Sequence, residues 1–246
     1  MLVMIMGQDC EDKISMCLES VKDADVIVYC DGGSEDETTN IVAEFIRDRE
    51  GDIIINDYNQ EDKKMNGKQR NFYLRYLKKH YPDDWCLCLD ADEVVGDFGI
   101  LNLKHAIKQL EELKFEKEIN PVTIYCPVIH HFIGDLGHED NTKQTHLALN
   151  RFFKVTEDLT YPEVEHPVLQ GKSRVGTIDV HLWHLRECLG VLKTKYKFES
   201  NMKKSNMHSP TQLKQWNRDM LFGNYPKRKV HYDQLPYPIK LNFNLL

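Results

Sequence analysis

Three carboxylates follow a hydrophobic run in Trp85-Cys-Leu-Cys-Leu-Asp-Ala-Asp-Glu93. Apolar and sulfhydryl side chains followed abruptly by acids read as a buried strand whose carboxyl end emerges into a cleft. Ligands of α/β sheets bind at that end. Asp90 and Asp92, spaced i, i+2, can hold a hard divalent cation such as Mg²⁺ or Mn²⁺ through oxygen ligands. A strand that closes on an acidic helix-capping turn would carry the same letters.

Two further polar groups sit at comparable points in the chain. Asp31 ends the apolar run Ala24–Tyr29 and opens Asp-Gly-Gly-Ser-Glu-Asp-Glu-Thr38. There it can accept hydrogen bonds from a nucleobase or ribose, or simply begin a turn. Its two glycines let the backbone turn tightly or approach a ligand. Ser34 and Glu37 have the spacing of a capping box. Lys68 and Arg70 stand near the start of a helix that opens at Asn66-Gly-Lys-Gln-Arg-Asn71. Cations are unfavourable there unless an anion is bound, so a phosphate is expected, with Arg70 offering a forked contact.

These groups need strands and helices to bring them together. Leu2–Met6, Ala24–Tyr29, Asp52–Ile55 and Trp85–Leu89 read as buried strands. Between the first two, Ile14, Cys17, Leu18 and Val21 repeat at helical spacing. The helix after Ser34 runs through Phe45 and Ile46, and the one after Asn66 through Leu77. The first ninety residues therefore alternate β-α-β-α-β-α-β, the pattern of a parallel sheet flanked by helices. Asp31, Lys68 with Arg70, and Asp90 with Asp92 would then meet at one sheet edge as a pocket for a base, a diphosphate and a metal.

The chain is 246 residues, 41% hydrophobic and 29% charged, enough for one large soluble domain. A net charge of −7 argues against nucleic acid as a partner. Basic residues gather locally at Lys193–Lys204, which leaves peripheral contact with a membrane surface open. Seven cysteines lack paired zinc spacing, and Cys86-x-Cys88 would share one buried, reduced strand face. With no signal peptide and no apolar run long enough for a transmembrane segment, the expected location is cytoplasmic.

Asp31-Gly-Gly-Ser-Glu-Asp-Glu-Thr38, Lys68-Gln-Arg-Asn71 and Leu89-Asp-Ala-Asp-Glu93, in that order, resemble a family 2 glycosyltransferase with the GT-A fold. The likeness is close over residues 1 to 100 and fainter beyond, through His131-Phe-Ile-Gly134, Arg151-Phe-Phe153 and His181-Leu-Trp-His-Leu-Arg186. It implies a single α/β domain with a Rossmann-like, mixed and mainly parallel sheet. Residues 1–95 would form the nucleotide-sugar-binding half, 96–190 the acceptor half and 191–246 a helical C-terminal extension. Gln8-Asp-Cys-Glu11 departs from the Lys-Asn-Glu-Glu of many members, and Glu165-His-Pro167 from their His-Glu pair.

The resemblance implies inverting transfer of a sugar from a nucleoside diphosphate sugar to a hydroxyl of a glycan or another acceptor. Asp92 would hold Mn²⁺ or Mg²⁺, with Asp90 sharing the ion or touching the ribose. A histidine would complete the metal site, His181 ahead of His184. Those two cannot point to the same side of a regular strand. Asp31 would meet the base, and Lys68 and Arg70 the phosphates or ribose. The general base is expected to be Glu165 or, second, Glu163, with Asp135 and Asp140 as further candidates in or beside a substrate-closing loop, Gly134–Thr145. Two rivals remain. A sugar-nucleotide pyrophosphorylase-like enzyme would carry a long basic glycine-rich loop where Gly7-Gln-Asp-Cys-Glu11 is short and acidic. A non-catalytic nucleotide- or carbohydrate-binding protein would have no need of Asp-x-Asp.

Overall fold

The computed structural model describes residues 1–59, 62, 64–116, 122–133, 135–140, 150–164, 166–185, 227–230 and 234–242. Its first half follows the expected alternation: β1 (Leu2–Gly7), α1 (Ile14–Ser20), β2 (Val26–Asp31), α2 (Thr38–Ile46), β3 (Glu50–Ile55), α3 (Met65–His80) and β4 (Trp85–Asp90). After a two-residue turn the chain continues as β5 (Glu93–Val95) and α4 (Gly99–Glu116), so the expected strand to Glu93 is two strands. Then come β6 (Ile124–Ile133), β7 (Asp135–Asp140), β8 (Phe152–Lys154), β9 (Val175–His184), β10 (Lys227–Lys229) and a short helix α5 (Tyr237–Asn242).

Among the described residues, ten strands form one mixed sheet in the order β10-β7-β6-β8-β4-β1-β2-β3, with β9 bridging β5 and β6. Strands β3, β2, β1 and β4 are mutually parallel, while β8 runs antiparallel to β4. Connections run outward through β2 and β3, then return to β4 on the other side of β1. The carboxyl ends of β1 and β4 are therefore a topological switch point, where open α/β sheets leave a crevice.

Alternation along the strands divides the core between the two faces. Val3, Ile5, Ile27, Tyr29, Leu87 and Leu89 pack with Ile14 and Leu18 of α1, Val42 of α2 and Leu103 of α4. Leu2, Met4, Val28, Cys30, Cys86 and Cys88 face Tyr73, Leu74 and Leu77 of α3. Cys86 and Cys88 thus share one buried face, and all six described cysteines are free thiols.

Two local expectations change. Pro127, expected to split two strands, sits instead at a register shift inside β6. A residue without N–H leaves a gap in the ladder, and a bulge absorbs it. Part of the loop expected at Gly134–Thr145 is strand β7, which pairs antiparallel with β6 and β10. The rest of that loop (134, 141–145) and most of the helical extension expected over 191–246 (191–226, 231–233 and 243–246) lie outside the described residues. Among the described residues, no helix is long and apolar enough to cross a membrane.

Candidate active site at the carboxyl rim of the sheet

Register places the acids. Gly7 of β1 pairs with Asp31 on one side, and its neighbour Met6 pairs with Asp90 on the other. Asp31 and Asp90 therefore share a rim with only β1 between them, their backbones about 10 Å apart. A side chain at Gly7 would strike Ala91 Cβ at 2.6 Å and Cys10 Sγ at 2.7 Å. Glycine is what lets the turn after β4 close over the end of β1.

Asp31 is 2% exposed. Its Oδ2 accepts the Gly33 and Ser34 N–H groups, each at 2.8 Å, and its Oδ1 accepts the Ser34 hydroxyl at 2.6 Å. Gly33, at φ 87°, supplies the left-handed step that this turn requires. Ser34 is thereby occupied, and the capping box expected with Glu37 does not form. Helix α2 starts after Glu37 without a side-chain cap, while Asp36 accepts the Thr38 N–H at 3.0 Å. The loop is zipped to the β1–α1 connection: Asp9 N–H donates to Ser34 Oγ (3.0 Å), and Glu35 N–H to Asp9 Oδ1 (2.9 Å). Asp31 shapes the rim from within.

The cations at the start of α3 find protein anions. Lys68 pairs with Asp62, and Glu163 adds to the field that raises its ammonium pKa. Arg70 turns inward: its Nη2 donates to Asp90 Oδ1 at 2.8 Å, its Nη1 to the Tyr73 hydroxyl at 3.3 Å. Asn71 clasps the backbone of Tyr161 from both sides, donating to its carbonyl (2.8 Å) and accepting its N–H (2.9 Å). That clasp holds the loop bearing Glu163 against the helix start, where Gly67 leaves room for the Pro162 carbonyl. Glu163 is exposed on this loop, and Glu165 lies outside the described residues.

The central cluster contains a residue whose role the sequence did not reveal. Arg151, at the foot of β8, donates from Nη2 to Asp90 Oδ2 (2.7 Å) and Glu93 Oε1 (3.0 Å). A charged residue directly before two buried phenylalanines was the available signal, since a buried charge needs a partner. Burial opposes the charge on Asp90, but Arg151 and Arg70 outweigh it and hold the carboxyl well below the usual carboxylate range. Burial pushes the Glu93 carboxyl up, against the pull of Arg151. Glu93 in turn accepts the Asp90 N–H at 2.8 Å and braces the turn. The Nε atoms of Arg70 and Arg151 are buried without hydrogen-bond partners. Both residues line a small pocket with Asn150, Tyr161 and Val168.

Asp92 has its partners at the end of β9. The Leu185 N–H donates to its carbonyl at 2.7 Å, tying the turn to the end of β9. This brings His184 Nε2 to 3.4 Å from Asp92 Oδ1. Burial opposes the Asp92 charge, His184 outweighs it, and the carboxyl is held well below the usual range. His181 lies on the opposite face of β9. It pairs with His130 at 2.7 Å and Asp179 at 3.1 Å, so the histidine at Asp92 is His184 rather than the favoured His181. Among the described residues, no three His, Cys, Asp or Glu side chains gather as a metal-ligand set. Asp92 and His184 are a pair, one hard oxygen and one imidazole nitrogen, that suits a divalent ion taking its remaining ligands from a substrate.

Solved structures share this fold. S. aureus TarS 1-349 superposes with a TM-score of 0.51 at 13% identity, over 89% of this chain and 70% of that one. The same fragment in complex with UDP-GlcNAc matches at TM-score 0.51 and 13% identity, over 89% and 71%. A longer S. aureus TarS structure matches at TM-score 0.51 and 14% identity, over 86% of this chain and 44% of that one. No curated protein matches the chain. Sequence evidence is more specific: residues 3–167, which carry the Asp31 loop, the Arg70–Asn71 helix start and the Asp90–Glu93 turn, match the pattern described as Glycosyl transferase family 2. The chain belongs to that family and is a glycosyltransferase.

Proposed function

We propose that this glycosyltransferase moves a sugar from a nucleoside diphosphate sugar to a hydroxyl acceptor, with inversion and with a divalent metal held at Asp92 and His184. The carrying observation is the division of labour at the β4 turn. Both Asp90 oxygens are engaged by arginines, whereas Asp92 is turned to His184 at 3.4 Å. The likeness to a TarS fragment solved with UDP-GlcNAc supports a uridine diphosphate sugar as donor.

The residues would act as follows. The loop shaped by Asp31 receives the base, and Lys68 and Arg70 border the donor's phosphates or ribose. The Asp90–arginine cluster keeps the turn rigid, and Asp90, whose side chain is 30% exposed, meets the ribose. A bound Mn²⁺ or Mg²⁺ would offset the negative charge that builds as diphosphate departs. The acceptor's proton needs a carboxylate on the side of the Tyr161 loop. Glu165 is the first choice and Glu163 the second.

Turnover of UDP-sugars with and without Mn²⁺, compared with the Asp92→Asn variant, tests the reading. The expected result is metal-dependent release of UDP that Asp92→Asn loses by at least about a hundredfold, in keeping with a lost transition-state charge contact. Wild-type activity in Asp92→Asn, or full activity in EDTA, would overturn it. Proton NMR of the product's anomeric centre tests inversion.

A further inference from the structure

We infer that His131 is a positioning residue, which fixes the His184 ring so that Nε2 faces Asp92. This rests on the metal reading above. His131 of β6 and His184 of β9 are register partners in a parallel pairing, so their side chains leave the sheet on the same face. Their Nδ1 atoms are 2.7 Å apart, and the rings meet edge-on at 84°. The other nitrogen of His184 is the one 3.4 Å from Asp92. Each nitrogen of the ring therefore has its own neighbour, and the ring cannot turn over without losing both.

The chemistry of that contact selects a tautomer. A hydrogen bond between two Nδ1 atoms requires one to donate and one to accept. When His184 donates, its Nε2 carries a lone pair directed at Asp92, which is the form a cation requires. When His131 donates, His184 can turn an Nε2–H to the Asp92 carboxylate instead. His131 serves both arrangements without moving, so the site can receive an ion with the ring already aligned. The neighbouring pair on the other face, His130 with His181, cannot take this part. Its carboxylate is Asp179, away from the β4 turn.

The test is direct titration of the full chain with Mn²⁺ and no donor, by calorimetry or by the electron paramagnetic resonance of free Mn²⁺. His131→Leu is expected to weaken binding by about ten- to a hundredfold, the usual effect of losing an orienting partner. His131→Gln, whose amide can donate or accept, recovers part of the loss. A His131→Leu protein with native circular dichroism and wild-type Mn²⁺ affinity would overturn the positioning role, leaving the metal reading intact. Equal binding by Asp92→Ala and wild type would overturn the metal reading itself. Should His131→Leu not fold, wild-type protein decides the matter. Long-range ¹H–¹⁵N spectra with Zn²⁺ are expected to show His184 protonated at Nδ1 and coordinated through Nε2, and coordination through Nδ1 overturns the inference.

Discussion

A single nitrogen of Arg151, Nη2, lies 2.7 Å from Asp90 Oδ2 and 3.0 Å from Glu93 Oε1, so one guanidinium fastens the two acids that flank Asp92. Arg70 closes on Asp90 from α3. Asp92 is the acid of this turn whose carboxylate pairs with His184, at 3.4 Å. The two aspartates of the motif thus differ in their partners: Asp90 is held by two arginines, and Asp92 meets His184.

Arg151→Met should therefore damage the turn as well as the chemistry. Arg151 and Glu93 are 4% and 2% exposed, and removing the cation strands a buried carboxylate. The expected loss is about 3–5 kcal/mol in urea unfolding, as for other buried pairs broken on one side. Arg151→Lys should recover only part, because one ammonium cannot also make the second contact of the planar fork, Nη1 to Asp90 Oδ1 at 3.3 Å. Comparison of denaturation midpoints for the three proteins checks this.

Much of the rim was legible because strand alternation and register are local properties. Val3 and Ile5 against Leu2 and Met4 dictate the two faces, and consecutive βα units bring Asp31 and Asp90 to one edge. What was not legible depends on pairing between distant segments. Arg151 is 61 residues from Asp90 in the chain, and only the antiparallel β4–β8 register brings it in. Strand alternation sets His181 and His184 on opposite faces without deciding which one faces the turn. That follows from β5 pairing Glu93 with His184, a register no local pattern announces. Ser34 had the right spacing for a cap, yet its hydroxyl is committed to the nearer and buried Asp31 carboxylate.

Replacing Asp31 should separate shape from ligand contact. Asp31→Ala leaves the Gly33 and Ser34 N–H groups without their acceptor in a part-buried loop. A loss of about 1–3 kcal/mol is expected for donors stranded in this way. Asp31→Asn keeps one acceptor oxygen and should lose less. Because the loop is the proposed seat of the base, donor KM should rise with the stability loss, and thermal unfolding beside donor kinetics measures both.

Gly67→Ala addresses the contact between α3 and the loop after Tyr161. A Cβ there would come within 2.2 Å of the Pro162 carbonyl oxygen and 2.6 Å of Glu163 Cα, both backbone atoms with little room to give. Overpacking of this kind costs about 1–3 kcal/mol. The displaced loop carries the candidate base, so kcat should fall while donor KM changes little. Steady-state kinetics at saturating acceptor would show the split.

The same loop offers a pH-dependent handle at its base. Asp158 accepts the Lys172 N–H at 2.6 Å and the Thr156 hydroxyl at 2.8 Å, and these contacts lower its pKa. A carboxyl whose folded pKa lies below its unfolded value, about 3.9 for aspartate, contributes stability that is fully present above that unfolded value. The contribution is lost as pH falls through the folded pKa. Wild type should therefore exceed Asp158→Ala in stability at pH 7, and the gap should narrow below about pH 4. Urea titrations of both proteins at pH 7, 5 and 3.5 measure the gap, and a constant difference across that range would show that the Asp158 charge contributes nothing to holding the loop.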